Sequence, residues 1–150
     1  MDRANGEIIN FRFRLSIEDD WPPVSVEYLP CAAVMGGYRV SNPPLFIKNM
    51  SVGDIIDITV DVDGIVDSWK HVVISNLTTI WMMNLKVNVD INEVLLSLRN
   101  YGCSAVRAES IGAYSIDVPE EVPFSVVDNI LEILDEDELA VVFPSMLHPE

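Results

Sequence analysis

Basic residues are scarce in this chain. Nine Lys and Arg stand against 24 Asp and Glu, for a formal net charge of −15 over 150 residues. From Ala108 to Glu150 there is no Lys or Arg at all, yet that stretch carries 11 of the 24 acids. A chain so poor in cations disfavours nucleic acid as a direct ligand, because phosphate binding needs Lys and Arg. It disfavours anionic membrane surfaces for the same reason. What remains open is a basic protein partner, or acidity that serves solubility alone. Cysteine is also rare: Cys31 and Cys103 are too few for a disulfide framework and suit a reducing compartment. No apolar run approaches the length of a membrane span, which excludes a transmembrane helix. The opening residues Met1-Asp2-Arg3-Ala4-Asn5-Gly6 have no apolar signal core, so a cytoplasmic protein is expected.

Catalytic and metal motifs are missing as well. Asp61-Val62-Asp63-Gly64 resembles the middle of a calcium loop, but Thr59 and Lys70 occupy the positions of its first and last carboxylates. It reads better as a hairpin turn. Cys31, Cys103, His71 and His148 lack the paired spacing of a zinc site. The only thiol pairing open to nucleophilic catalysis would join Cys31 or Cys103 to His71, and no Ser lies in a G-x-S-x-G elbow. Gly36-Gly37 lacks the lysine and helix of a phosphate loop. The expectation is therefore no enzyme, no catalytic residue, no metal and no cofactor.

The C-terminal half, 77–150, is dense with pattern. Thr79–Met83 is a β-prone apolar run. Ile91, Val94, Leu95 and Leu98 follow at helical spacing, with Asp90 and Glu93 placed as a capping box and Gly102 where a left-handed residue ends a helix. Ser104–Glu109 and Ala113–Val118 read as two strands. Pro123 then opens a second helix that places Val126, Val127, Ile130 and Leu134 on one face. Leu139–Phe143 returns as a strand. The order strand, helix, strand, strand, helix, strand is the ferredoxin-like split βαβ pattern.

The N-terminal half, 1–76, reads as short strands with little helix. Ile9, Phe11, Phe13 and Leu15 alternate with Asn10, Arg12 and Arg14, as in a half-buried strand. Val24–Leu29, Cys31–Met35, Tyr38–Val40, Leu45–Ile47, Ile55–Val62 and Ile65–Ile74 are further apolar runs, punctuated by Pro and Gly turns. The predicted architecture is α+β: a small curled sheet or partial barrel packed on the ferredoxin-like half. No linker composition separates the halves near Asn76, so one compact unit is expected.

Several elements in order resemble a small bacterial family defined only as a domain of unknown function. They are Trp21-Pro22-Pro23-Val24, Glu27-Tyr28-Leu29, Gly37-Tyr38-Arg39-Val40-Ser41-Asn42-Pro43, Gly53-Asp54-Ile55-Ile56, Thr78-Thr79-Ile80 and Asp117-Val118-Pro119. Ser75-Asn76-Leu77 stands where that family's pattern carries a small or His-containing segment. Some families of this size and acidity are immunity proteins encoded beside bacterial toxins, and the resemblance implies that role.

Two groups of residues are candidates for binding. Glu120, Glu121, Asp128, Glu132, Asp135, Glu136, Asp137 and Glu138 form an acidic set around the second helix. Asp135–Glu138 would crowd a helix C-terminus, where the dipole favours cations, so their retention suggests a use outside the fold. They would pair with Lys and Arg on a basic toxin and steer its approach. The second group is Glu27, Tyr38 and Arg39. Strand alternation points Glu27 to solvent, while an ion pair with Arg39 beside Tyr38 would line a polar pocket for a small ligand. A small-molecule-binding or regulatory domain is the alternative function.

Overall fold

The computed structural model describes residues 6–75, 77–86, 90–108 and 111–145. Among the described residues nine strands and two helices form a closed barrel and a four-stranded sheet that the helices cover on one face. The N-terminal half is a closed barrel of β1 (Ile8–Arg14), β2 (Val26–Val34), β3 (Gly37–Val40), β4 (Ile55–Val60) and β5 (Ile65–Val73). Neighbours are antiparallel except for the seam, where β1 meets β5 in parallel through Arg12↔Ile65 and Phe13↔Val66. Phe13, Leu29, Cys31, Val40, Ile56 and Val66 fill its interior. These are the inward half of the alternation, and each fully buried large apolar side chain contributes about 1.5–3 kcal/mol.

Three expectations for this half are corrected. The two runs on either side of Pro30 form one strand, β2, with Pro30 inside it. Pro30 sits opposite Ser41, just beyond the end of β3, where it need only accept the Ser41 amide (3.0 Å). Its missing N–H therefore costs the ladder nothing. The run Leu45–Ile47 is not a strand; it crosses over as irregular chain held by side chains. The β2–β3 turn is Met35-Gly36, and Gly37 already belongs to β3. A Cβ on Gly37 would lie 2.4 Å from the Ile56 carbonyl oxygen, so only glycine lets β3 and β4 approach there.

The second half runs β6 (Thr78–Asn84), α1 (Asn92–Asn100), β7 (Ser104–Ala108), β8 (Ala113–Val118), α2 (Phe124–Leu131) and β9 (Leu139–Ser145). Its strands lie in the order β7-β8-β6-β9, with every neighbour antiparallel. Helix-facing Ile80, Met82, Tyr114, Ile116 and Val118 pack with Val94, Leu95 and Leu98 of α1 and Val127 of α2. The opposite face, with Thr79, Trp81 and Ser115, meets the barrel half. All six positions of β8 are buried because both faces are covered.

Helix boundaries also differ from the sequence pattern. Asp90 accepts the Asn92 amide (2.9 Å), and no side chain caps α1 as a capping box would. Gly102 follows α1 at φ 103°, as its position implied. α2 stops at Leu131, so Leu134 and the acids from Asp135 to Glu138 lie beyond the helix in a turn. Asp135 shapes that turn: its carboxylate accepts the Asp137 amide (2.9 Å), and its carbonyl accepts the amides of Glu138 (2.9 Å) and Leu139 (3.0 Å). The helix dipole therefore acts on Asp128 and Glu132 and not on the four acids that follow. Glu109 and the half boundary at Asn76 lie outside the described residues. Among the described residues no helix is long and apolar enough to cross a membrane.

Candidate functional site

The segment 44–54 is the hinge of the molecule's chemistry, because it runs between barrel and sheet and is pinned to both. Glu27 anchors one end. Its side chain is 7% exposed, and its carboxylate accepts the amides of Leu45 (2.6 Å) and Phe46 (2.9 Å). Burial pushes its pKa up, and those backbone bonds pull the other way. The solvent-facing reading of Glu27 is thus replaced by a structural one. Arg39, exposed on β3, pairs in register with Ala32, and Tyr38 packs edge-on against Phe11 at 4.8 Å between ring centroids. The structure does not bring Glu27, Tyr38 and Arg39 together around one pocket.

Asp54 anchors the other end, fully buried. One oxygen accepts the Ser51 amide (3.0 Å) and meets His71 Nε2 (2.8 Å); the other accepts the Ser75 amide (2.8 Å). Ser51 Oγ bonds Thr79 Oγ1 of the sheet at 2.8 Å. The Pro44 carbonyl accepts both Trp81 Nε1 (2.6 Å) and the Ser115 hydroxyl. Sequence reasoning missed this knot. Asp54 and His71 look like a catalytic pair, yet among the described residues no nucleophile joins them: the Ser75 hydroxyl donates to the Val52 carbonyl (2.8 Å), and Ser51 is occupied by Thr79. Both cysteines are free and buried, in separate cores. Burial pushes the Cys31 thiol up to about 12; burial and then the Asp117 charge push Cys103 up to about 11. Neither is a ready nucleophile. Asp61 serves the seam, accepting the amides of Asp63 (2.8 Å) and Ile65 (3.0 Å) and pairing with Arg14, contacts that hold its carboxyl below the usual range.

Two concave surfaces among the described residues bear on binding. The first is a cleft of about 360 Å³ between the halves, with Trp21, Phe46, Trp81 and Val142 on its walls and Ser16, Glu18 and Lys48 among its polar groups. Trp21 reaches it from a two-residue turn, where Glu18 and Trp21 exchange both backbone bonds around Asp19 and Asp20. Those two adopt φ 54° and 62°, which Asp tolerates better than most residues. Its ring then packs edge-on against Phe46 at 5.8 Å. The second is a groove of about 520 Å³ between α2 and β9, floored by Leu131, Leu134, Leu139, Val141 and Phe143 and edged by Asp128, Glu132 and Glu136.

The acidic set divides across this end. Glu120 and Glu121 precede α2, whereas Asp128 and Glu132 lie along and just past it, and Asp135–Glu138 form the turn into β9. All are exposed except the half-buried Glu138. Among the described residues none of the eight forms an ion pair, and the last turn of α2 carries no basic residue.

The sequence model for a domain of unknown function, DUF4265, matches residues 30–142, three quarters of the chain. The chain belongs to the DUF4265 family. This match begins after Trp21–Val24 and Glu27–Leu29 and ends at Val142, so it covers the hinge segment and most of the sheet and of the α2–β9 groove but not the Trp21 arm. A search of curated proteins finds no match. Among solved structures, a hypothetical protein from Neisseria gonorrhoeae superposes with a TM-score of 0.66 at 16% identity, covering 95% of this chain and 98% of that one. That likeness extends the fold beyond the family match to nearly the whole of the DUF4265 chain.

Proposed function

We propose that this chain is a non-enzymatic binding protein whose acidic α2–β9 end receives a basic protein partner. One observation carries the reading. The acids that edge the groove have no cation within the described fold, while an apolar floor lies between them. Unpaired surface charge beside desolvatable apolar area gives both steering and a place to bury contact. The partner class that fits best is a basic toxin, nuclease-like in charge, which this protein would occlude as a bacterial immunity protein in the cytoplasm. The support for that class is charge complementarity together with the chain's size and acidity. The C-terminal half is read as a ferredoxin-like split βαβ unit, supported by its element order and its antiparallel β7-β8-β6-β9 arrangement. Residues 1–76 and 77–150 are read as subdomains of one compact unit, supported by the bonds of Pro44 and Ser51 across the halves.

The test is affinity capture from the native host's lysate at low and high salt. It uses the natural chain beside one carrying Asp135, Glu136, Asp137 and Glu138 all changed to Lys. A stoichiometric basic protein, weakened by salt and lost with the reversed chain, is the expected result. Equal capture of that partner by both chains would refute the reading.

The cleft between the halves favours a second reading, a small-molecule-binding or regulatory domain. Three aromatic walls with few polar groups suit a compact, largely apolar ligand. Here the readout is quenching or shift of Trp21 and Trp81 fluorescence during a metabolite screen, insensitive to salt. A screen in which no compound raises the melting temperature or alters that emission would remove this reading.

A further inference from the structure

Among the described residues β9 is an edge strand, because the sheet order places only β6 beside it. The register with β6 fixes which of its peptide groups face the open side. The Leu85 amide donates to the Glu138 carbonyl (2.7 Å), and β6 and β9 stay in step from Asn84↔Leu139 to Trp81↔Val142 before a bulge shifts them. Peptide groups alternate in direction along an antiparallel strand. Those of Glu138, Ala140 and Val142 therefore turn toward β6, and those of Leu139 and Val141 turn toward the open side. The Leu139 amide is already taken by the Asp135 carbonyl. What faces outward is the Leu139 carbonyl followed by the Val141 amide and carbonyl, an ordered ladder without a second strand. Pro144 limits it at the far end, having no N–H to offer.

The side chains around this edge are sorted by face. On the helix side lie the apolar floor and the carboxylates of Asp128, Glu132 and Glu136. On the barrel side Ala140 and Val142 open into the aromatic cleft. An added strand would send alternate side chains to these two faces. Long cationic side chains suit the first, with aliphatic stems on the floor and heads at the carboxylates. Apolar side chains suit the second. A second copy of this chain does not fit, since its own β9 would bring the same acids against these and has no Lys or Arg within Ala108–Glu150.

We propose that the basic partner engages this edge by strand addition, laying an extended segment of alternating basic and apolar residues along β9 with its cations in the α2–β9 groove. This rests on the basic-partner reading and adds the mode of recognition to it.

The probe is a capped synthetic octapeptide alternating Lys and Val, titrated into the full chain. Two isomers accompany it, one N-methylated at every Lys and the other at every Val. Strand addition predicts salt-sensitive binding, slower hydrogen exchange at the Val141 amide, and retention of binding by one isomer only. Changing Glu132→Gln together with Glu136→Gln should weaken the unmodified peptide by about tenfold, the loss expected for desolvated charge-assisted bonds. Equal binding of both isomers with no change at Val141 overturns strand addition and leaves the basic-partner reading standing. No binding of any of these peptides to the folded chain overturns both. Concentration-dependent protection of Val141 without peptide would make a second copy the occupant and also overturn the proposal.

Discussion

Three acids of the barrel half and three of the α2–β9 end differ in what surrounds them. Glu27, Asp54 and Asp61 accept two backbone amides each, and Asp54 and Asp61 also meet His71 and Arg14. Asp128, Glu132 and Glu136 stand at the surface with no cation among the described residues. Carboxylates of the first kind replace backbone bonds that an irregular segment cannot make with itself. Those of the second kind contribute repulsion to the fold, and the proposed basic partner would answer it with attraction. Net charge alone does not separate the two populations; their hydrogen-bond partners do.

The contrast is sharpest if the inner acids are removed. Asp54→Ala would leave the Ser51 and Ser75 amides and His71 without their acceptor in a fully buried place, costing about 3 kcal/mol or more in urea denaturation. Glu27→Ala frees the amides of Leu45 and Phe46 but also relieves a desolvated carboxylate, so a smaller loss of about 2 kcal/mol is expected. A loss below the range of ordinary surface substitutions at both sites would erase the distinction.

Asp117 blurs the comparison in an instructive way. It lies on β8, 6% exposed, with Oδ1 lacking a hydrogen-bond partner among the described residues. Burial raises its pKa from 3.8 to about 6, against the pull of its own amide and of Ser104. Between those values the folded chain keeps a proton that the unfolded chain has released. Stability from this group is therefore greatest in acid and falls as pH rises toward about 6, the reverse of a salt-bridged acid. Asp117→Asn should flatten that fall and add about 1 kcal/mol at pH 7, measured by denaturation across the acidic range. A natural chain whose stability does not decline over that interval would contradict the assignment.

The smallest expected effect belongs to the outer acids. Glu132→Gln with Glu136→Gln should shift stability by no more than about 0.5 kcal/mol. The sign should be favourable at low salt, because Glu132 follows a helix whose C-terminus disfavours a negative charge. A larger destabilisation would show that these side chains serve the fold after all.

Much of the architecture was legible because it rests on local pattern. The faces of α1 and α2, the glycine after α1 and the limits of β8 follow from spacing that neighbours cannot easily override. Pro30 misled because a proline within a strand is tolerated only where the partner strand has ended, which depends on a distant register. Glu27 misled because it shares the inward face of β2 with Leu29 and Cys31, where its carboxylate is taken by the amides of Leu45 and Phe46, partners that lie far along the chain. The acidic set was visible by composition alone. The groove among those acids was not, since it arises from the placement of β9 beside α2. The Asp54 knot joins positions 51, 54, 71, 75 and 79 across three segments, and no spacing rule links them.

The account's central claim is that Asp128, Glu132 and Glu136 at the α2–β9 end act on a partner and not on the fold. The most direct measurement is capture of the native partner by a chain carrying Asp128→Asn, Glu132→Gln and Glu136→Gln, with its melting temperature read on the same sample. We predict melting equal to or above that of the natural chain, with the basic partner lost. A destabilised chain that still captures the partner in full would contradict it.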